Sequence, residues 1–310
     1  MRLLFFGTPE YALPSLERLA AEHEIVGVIA QPDRPAGRRG EPAPPPTAAF
    51  ARRRGLRLLQ PERPRGGEFR REVETLGAEL AAVVAYGHIL RPWLIELPPA
   101  GTLNAHGSLL PAYRGAAPAQ RAILAGETET GVTVQKVVFA VDAGPVLLAE
   151  RTAIGPEETA GELLGRLAAL SAELLSRAVR LVESGSARYA EQPQAAASHA
   201  PKLTKEEGRL DWSRDAAYLA RAARAYNPWP TLQARLPGGR LLRVLAARAE
   251  PAPESTAVPG TVLESAGDRL LVQAGGGALR LLNVQAEGRR PMGAGEFLRG
   301  ARLAAGDRLG

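Results

Sequence analysis

Cysteine is absent from this sequence. That excludes disulfide frameworks, thiolate nucleophiles and cysteine-ligated metals. Histidine occurs four times, lysine three times and methionine twice in 310 residues. No cluster of His, Asp and Glu has the spacing of a metal site, so chemistry without a metal is expected. Long apolar runs are missing too. Met1-Arg2-Leu3-Leu4-Phe5-Phe6 is interrupted by Gly7-Thr8-Pro9, too short for the core of a secretion signal, and no run reaches the length of a membrane span. The sequence therefore predicts a soluble, cytoplasmic protein with no membrane partner.

What is present is an apolar fraction of 45%, enough for a sizeable core and for two domains. The net charge of +6 is unevenly placed: residues 1–199 hold 22 basic and 22 acidic side chains, residues 200–310 hold 17 and 11. A second basic stretch, residues 31–71, carries eleven Arg against Asp33, Glu41, Glu62 and Glu68. Such asymmetry fits a polyanionic partner. It fits equally well a composition rich in Arg, Ala, Gly and Pro.

Apolar runs at 3–6, 25–30, 56–59, 80–85 and 102–106 alternate with helical patterns near 66–77, 93–97 and 116–125, a βαβ rhythm that implies a mostly parallel sheet. Thr8 is placed to cap a first helix, with Pro9 at its first position and a stripe of Ala12, Leu16, Leu19 and Ala20. Gly7-Thr8-Pro9-Glu10 lacks the later glycines of a dinucleotide fingerprint. Residues 31–46, with six prolines, read as an exposed basic loop. Strands at 132–138 and 146–150 flank the turn Val141-Asp142-Ala143-Gly144-Pro145, and a helix over 156–183 follows. Beyond it the expected organisation is a linker over 185–205 and a second domain over 206–310. There, short strand-like runs at 232–236, 241–246, 260–264, 270–273 and 279–285 follow a helix near 215–225, the pattern of a small antiparallel barrel. Trp212, Tyr218, Tyr226 and Trp229 are its candidate exposed aromatics, the latter two reading as domain-packing residues rather than nucleotide platforms.

The chemistry concentrates in Asn104-Ala105-His106-Gly107-Ser108-Leu109-Leu110-Pro111, which runs on to Arg114-Gly115-Ala116-Ala117-Pro118. On a strand, the period of two sends Thr102, Asn104 and His106 to one face. An imidazole there can take a proton near neutral pH, and an amide can donate to an oxygen that gains charge. Asp142 is a candidate to orient the imidazole. Together they suit attack of an amine on a carbonyl. Ser108 lacks the G-x-S-x-G elbow of a serine nucleophile. Singly, each residue is more often a satisfied turn or cap. Tyr86 and His88 either line a pocket or merely finish the strand before them.

The string Asn104-x-His106-x-Ser108-Leu109-Leu110-Pro111-x-x-Arg114-Gly115, with Val141-Asp142-x-Gly144 downstream, resembles the 10-formyltetrahydrofolate-dependent formyltransferases. Phe6-Gly7-Thr8-Pro9, Gln31-Pro32-Asp33-Arg34-Pro35-x-Gly37-Arg38, Val84-Ala85-Tyr86-Gly87, Lys202-Leu203-x-Lys205-Glu206-Glu207 and Tyr226-Asn227-Pro228-Trp229-Pro230 look like the methionyl-tRNA formyltransferases among them, over essentially the whole chain. The resemblance implies a Rossmann-like domain over 1–184 and an OB-like antiparallel barrel after the linker. It implies formyl transfer from 10-formyltetrahydrofolate to methionyl initiator tRNA, with Asn104, His106 and Asp142 catalytic. Ser108, Leu109, Leu110 and Pro111 would border the folate, with Tyr86, Gly87 and His88 near its pterin. Arg38, Arg39, Lys202 and Lys205 would contact tRNA, and the protein would act as a monomer. Where family members often continue the loop with glycine and lysines, this chain reads Arg39-Gly40-Glu41-Pro42. A sugar-nucleotide formyltransferase, a formyltetrahydrofolate hydrolase and a silent tRNA-binding protein are the rival readings.

Overall fold

The computed structural model describes residues 1–36, 40–252 and 257–310. The chain divides into two compact units, one of residues 1–118, 129–153 and 164–201, the other of residues 119–128, 154–163 and 202–310.

The first unit is built on strands β1 (Arg2–Gly7), β2 (Glu24–Ile29), β5 (Leu58–Leu59), β6 (Leu80–Val84), β7 (Thr102–His106), β9 (Glu129–Lys136) and β10 (Val146–Ala153), in the order β10-β9-β7-β6-β1-β2-β5. The pairs β1/β2, β1/β6, β6/β7 and β2/β5 are parallel, and β7/β9 and β9/β10 are antiparallel. A parallel strand covered on both faces must be apolar throughout, and Leu3, Leu4, Phe5 and Phe6 are fully buried. Each such side chain contributes about 1.5–3 kcal/mol of burial energy. Leu4, Phe6, Ile29, Leu59, Phe69, Val73, Ala81, Tyr86, Leu94 and Ile95 pack together in one cluster. The covering helices include α1 (Leu13–Glu22), α2 (Pro46–Arg53), α3 (Gly67–Thr75) and α4 (Pro92–Glu96). A short pairing of β3 (Arg34–Ala36) with β4 (Glu41–Ala43) brackets positions 37–39.

Three local expectations change. Thr8 does not cap α1, because a 3-10 turn over Glu10–Ala12 intervenes. Its hydroxyl instead donates to the Tyr86 carbonyl at 2.9 Å and accepts from the Gln31 amide at 3.3 Å, joining the carboxyl ends of β1, β2 and β6. The proline-rich stretch ends in helix α2, with Pro46 at the helix start and Thr47, Ala48, Phe50 and Ala51 buried. The helix after β10, α6, spans Ala160–Glu183 and starts four residues later than the pattern suggested. Residues 190 and 199–200 also pair within the first unit. Ala190 bridges Val146, and β11 (His199–Ala200) lies parallel to β8 (Arg114–Gly115).

The second unit holds α5 (Pro118–Ala125) from Ala119 on, helix α7 (Ala216–Ala225) and strands β12 (Leu232–Arg235), β13 (Leu241–Glu250), β14 (Val262–Ala266), β15 (Arg269–Gln273) and β16 (Ala278–Ala286). The sheet order is β12-β13-β16-β15-β14, every pairing antiparallel, with β17 (Met292–Gly293) beside β16 and helix α8 (Ala294–Gly300) last. Asp215 caps α7 by accepting from the Ala217 amide at 2.8 Å, worth about 1 kcal/mol. Of the four candidate aromatics, Trp212 and Tyr226 are buried, and Trp229 is 52% exposed. The Tyr226 hydroxyl donates to Glu207, whose carboxylate also takes two contacts from Arg121, at 2.6 and 3.0 Å.

The Arg121 guanidinium holds the Glu207 carboxyl below the usual carboxylate range. A depressed value means that this stabilisation is present above the unfolded-state pKa and is lost as pH falls through the folded value. Thermal melts of wild type and Glu207→Gln should therefore differ most near neutral pH and converge only as pH falls below the ordinary glutamate range and through the depressed folded value. A gap independent of pH would overturn this assignment.

Candidate active site

Asn104 stands in the middle of β7 and His106 is its last residue, at the carboxyl end where ligands of open α/β sheets bind. Strand β9 faces β7 with Asn104 opposite Gln135 and His106 opposite Thr133. Thr133 accepts from the Leu110 amide at 3.0 Å and donates to the Ser108 carbonyl at 2.7 Å, pinning the turn that follows His106. Asp142 lies on the connection between β9 and β10 with a φ of 51°. The four residues around its carboxylate are all in the first unit.

Oδ2 of Asp142 lies 3.6 Å from Nδ1 of His106 and accepts from the Gly115 amide at 2.8 Å. Oδ1 accepts from Asn104 Nδ2 at 3.4 Å and from Gln135 Nε2 at 3.1 Å. The side chains of His106 and Asp142 are 7% and 13% exposed. Nε2 of His106 is 2.9 Å from the Tyr113 carbonyl, which can only accept, so Nε2 carries a proton. The lone pair of the neutral ring is then at Nδ1, facing the carboxylate. A proton arriving at Nδ1 converts two opposed acceptors into a charge-assisted pair. Tyr113, like Asp142, has a positive φ, here 59°. Each such residue costs about 1–3 kcal/mol and marks a backbone held by its surroundings.

The structure thus brings Asn104, His106 and Asp142 together. Asn104 and Asp142 also form the polar end of a cleft of about 140 Å³, whose apolar lining includes Val83, Ile89, Leu90, Ile95, Val137 and Phe139. His88 lines this cleft and a neighbouring one of about 200 Å³ formed with Ile89, Arg63, Pro64, Arg65 and Arg91. Nε2 of His88 is shielded from solvent and has no hydrogen-bond partner. Tyr86 is placed differently: it is 2% exposed and packs edge-on against Phe6 at 5.4 Å, beneath His88, and burial pushes its phenol pKa up. Ser108 donates its hydroxyl to the Ala112 carbonyl at 2.6 Å, and neither it nor Leu109, Leu110 or Pro111 lines the cleft. Among the described residues no group of three or more His, Asp or Glu could hold a metal, and no helix is long and apolar enough to cross a membrane.

Sequence reasoning passed over two contributors, Gln135 and Gln192. Gln135 is legible in retrospect as a polar residue in the apolar run of β9, 2% exposed in the structure. Gln192 stands in a stretch of Ser, Ala, Gln and Pro that carries no pattern.

A family model described as formyl transferase matches residues 1–179, and one described as formyl transferase, C-terminal domain, matches residues 202–302. A methionyl-tRNA formyltransferase of Methylobacterium sp. (strain 4-46) is 44% identical over 313 aligned positions, covering 100% of this chain and 99% of that protein. One from Sorangium cellulosum (strain So ce56) is 43% identical and covers 100% of both. The chain belongs to the methionyl-tRNA formyltransferase family. Among solved structures, the N-formyltransferase of Helicobacter canadensis in complex with folinic acid and dTDP-3-aminofucose superposes with a TM-score of 0.66 at 15% identity, over 92% of this chain and 99% of that one. HypX from Aquifex aeolicus gives 0.63 at 20% identity over 97% of this chain, which spans 48% of that longer protein. At those identities the likeness is one of fold.

Of the residues that the family resemblance assigns to tRNA, Arg38 and Arg39 lie outside the described residues. Lys202 and Lys205 are exposed in the second unit, and Lys205 lines a cleft of about 340 Å³ with Arg209, Arg235, Glu206 and Glu287.

Gly144 is the steric condition for the Asp142 turn. A Cβ there would run into the Lys136 carbonyl oxygen. Gly144→Ala should lower stability by roughly 1–3 kcal/mol and displace the Asp142 carboxylate. The check is a denaturant melt together with a crystal structure of the variant; an unmoved carboxylate would refute the constraint.

Proposed function

We propose that this chain transfers the formyl group of 10-formyltetrahydrofolate to the α-amino group of methionyl initiator tRNA. The observation that carries the chemistry is the convergence of Asn104, His106 and Asp142, of which Asn104 and Asp142 line one end of an apolar cleft and His106 lies 3.6 Å from the Asp142 carboxylate. The acceptor is supported by relatives that are 43–44% identical along the whole chain.

The residues present fit the donor. The apolar cleft suits an aromatic head group, and the cluster of Arg63, Arg65 and Arg91 in the adjoining cleft, which shares His88 and Ile89 with it, suits a carboxylate tail. When bound, folate supplies a formyl group on N10, activated for transfer to an amine. Asn104 has two amide hydrogens and commits one of them to Asp142, leaving the other for the oxygen that gains charge; such a preorganised donor is worth about 3–4 kcal/mol. His106 takes at Nδ1 the proton that the amine gives up as its N–C bond forms, and returns it to the folate nitrogen as the old C–N bond breaks. Asp142 holds the imidazolium between those two events. Arg38, Arg39, Lys202 and Lys205 would contact tRNA phosphates, which position the nucleic acid. The protein would act as a cytoplasmic monomer, which sedimentation at working concentration tests.

Incubation with 10-formyltetrahydrofolate and methionyl-tRNA, initiator and elongator separately, should formylate the initiator alone. Transfer to neither would move the acceptor to a small amine or to water. His106→Ala and Asp142→Ala should each lower kcat by about 100-fold or more while tRNA affinity stays within about twofold; a parallel fall in affinity would sink the assigned roles. Arg91→Ala should raise KM for the donor about two- to fivefold at unchanged kcat, since exposed charge contacts are worth up to about 1 kcal/mol. Lys205→Ala should reduce the slope of log affinity against log salt for tRNA by about one, and an unchanged slope would remove Lys205 from the interface.

A further inference from the structure

Behind the Asp142 turn lies a buried polar chain that formyl transfer does not itself require. Arg114 is 7% exposed. Its Nε and Nη2 donate to Oε1 of Gln192 at 3.1 and 2.6 Å, and its Nη1 donates to Oε1 of Gln194 at 3.0 Å. No carboxylate pairs with it among the described residues. A guanidinium buried against amides alone is expensive, so its retention calls for an account.

Gln192, 4% exposed, supplies one. Its oxygen receives two charged donors, which polarises the amide and strengthens what its nitrogen gives. The two hydrogens of that nitrogen are shared among three acceptors, the main-chain carbonyls of Asp142 at 2.9 Å and Gly144 at 2.7 Å and Oε1 of Gln135 at 3.1 Å. Gln135 in turn donates its own Nε2 to Asp142 Oδ1. One side chain therefore holds the backbone on both sides of Ala143 and, through Gln135, the carboxylate as well. Arg114 is also the residue before Gly115, whose amide binds the other carboxylate oxygen. The cation thus sits behind both routes that fix Asp142.

We infer that Gln192 is a positioning residue for the transfer reaction, a clamp backed by the buried charge of Arg114 that sets the Asp142 carboxylate against His106 and Asn104. The functional half of this statement rests on the reaction proposed above, and the structural half does not. Gln192→Glu separates the clamp from mere bracing. The variant keeps an oxygen for Arg114, now as an ion pair, and loses every donor to the turn.

The experiment measures steady-state formyl transfer, the thermal midpoint and the ring resonances of 15N-labelled histidine, with four histidines in the chain and His106→Gln identifying the signal that matters. Gln192→Glu should keep its thermal midpoint within a few degrees, lower kcat on the order of 100-fold with KM for both substrates within about twofold, and move the His106 resonances while those of His23 and His199 stay in place. A folded variant with kcat within about twofold of wild type, or with unmoved His106 resonances, would overturn the clamp. Should Gln192→Glu not fold, Arg114→Lys, which keeps the charge and gives up the forked contact, is measured in the same way, and the same results support or overturn the clamp. A wild type that transfers no formyl group would refute the proposed reaction, and the histidine resonances would still decide the clamp.

Discussion

The geometry of the cleft depends on the carboxylate of Asp142, a side chain carried on a connection between two strands and held by residues from elsewhere. It projects from a turn whose backbone is left-handed at Asp142 and passes close to the Lys136 carbonyl at Gly144. The cost of that conformation, about 1–3 kcal/mol, is of the same size as one hydrogen bond to a charged group. Asp142 accepts three such bonds, from Asn104, Gly115 and Gln135, and its turn is tied by two more through Gln192. The surroundings outweigh the strain. The result is a carboxylate already in place before any substrate arrives, which is what stabilising charge without reorganisation requires.

The position of His106 follows from the same arrangement. Its Nε2 is committed to a carbonyl, so the exchangeable lone pair can only be Nδ1, on the side of Asp142. A ring held by one nitrogen alone would tolerate rotation. Once Nδ1 is protonated, a ring held by a carbonyl at Nε2 and by an anion at Nδ1 has one orientation. Asn104 shares the carboxylate, so amide, imidazole and acid form a single unit and not three neighbours. Asn104, on β7, and Asp142, on the connection after β9, line an apolar cleft that shares His88 and Ile89 with a cationic one. A ligand with an aromatic head and an anionic tail would be read by both. In the second unit, Lys205, Arg209 and Arg235 line a separate cleft together with Glu206 and Glu287.

The strands of the first unit were legible because buried parallel strands are apolar at every position, and Thr102–His106 was readable to the residue. Helix α2 was not, because three consecutive prolines dominate its approach; the relevant signal was Pro46 at a position where a missing N–H costs nothing. Thr8 had the chemistry of a cap and found a better-placed acceptor in the Tyr86 carbonyl. Trp212, a candidate for exposure, is buried; Tyr226 packs inside the second unit, as the packing reading has it, and Trp229 is 52% exposed.

Asn104, His106 and Asp142 could be nominated from residue type, spacing and resemblance, since local sequence determines which groups are able to donate, accept or take a proton. The sequence also determined the alternation of strand and helix that carries them to one edge of a sheet. Only the tertiary structure decided that Gln135 would stand opposite Asn104, that Gln192, from a stretch without periodicity, would reach the Asp142 turn, and that Arg114 would be buried behind it. The reason is physical: periodicity encodes which face of an element is covered. A hydrogen bond between residues fifty positions apart, such as that from Gln192 to the Asp142 carbonyl, leaves no periodic trace in the chain that makes it.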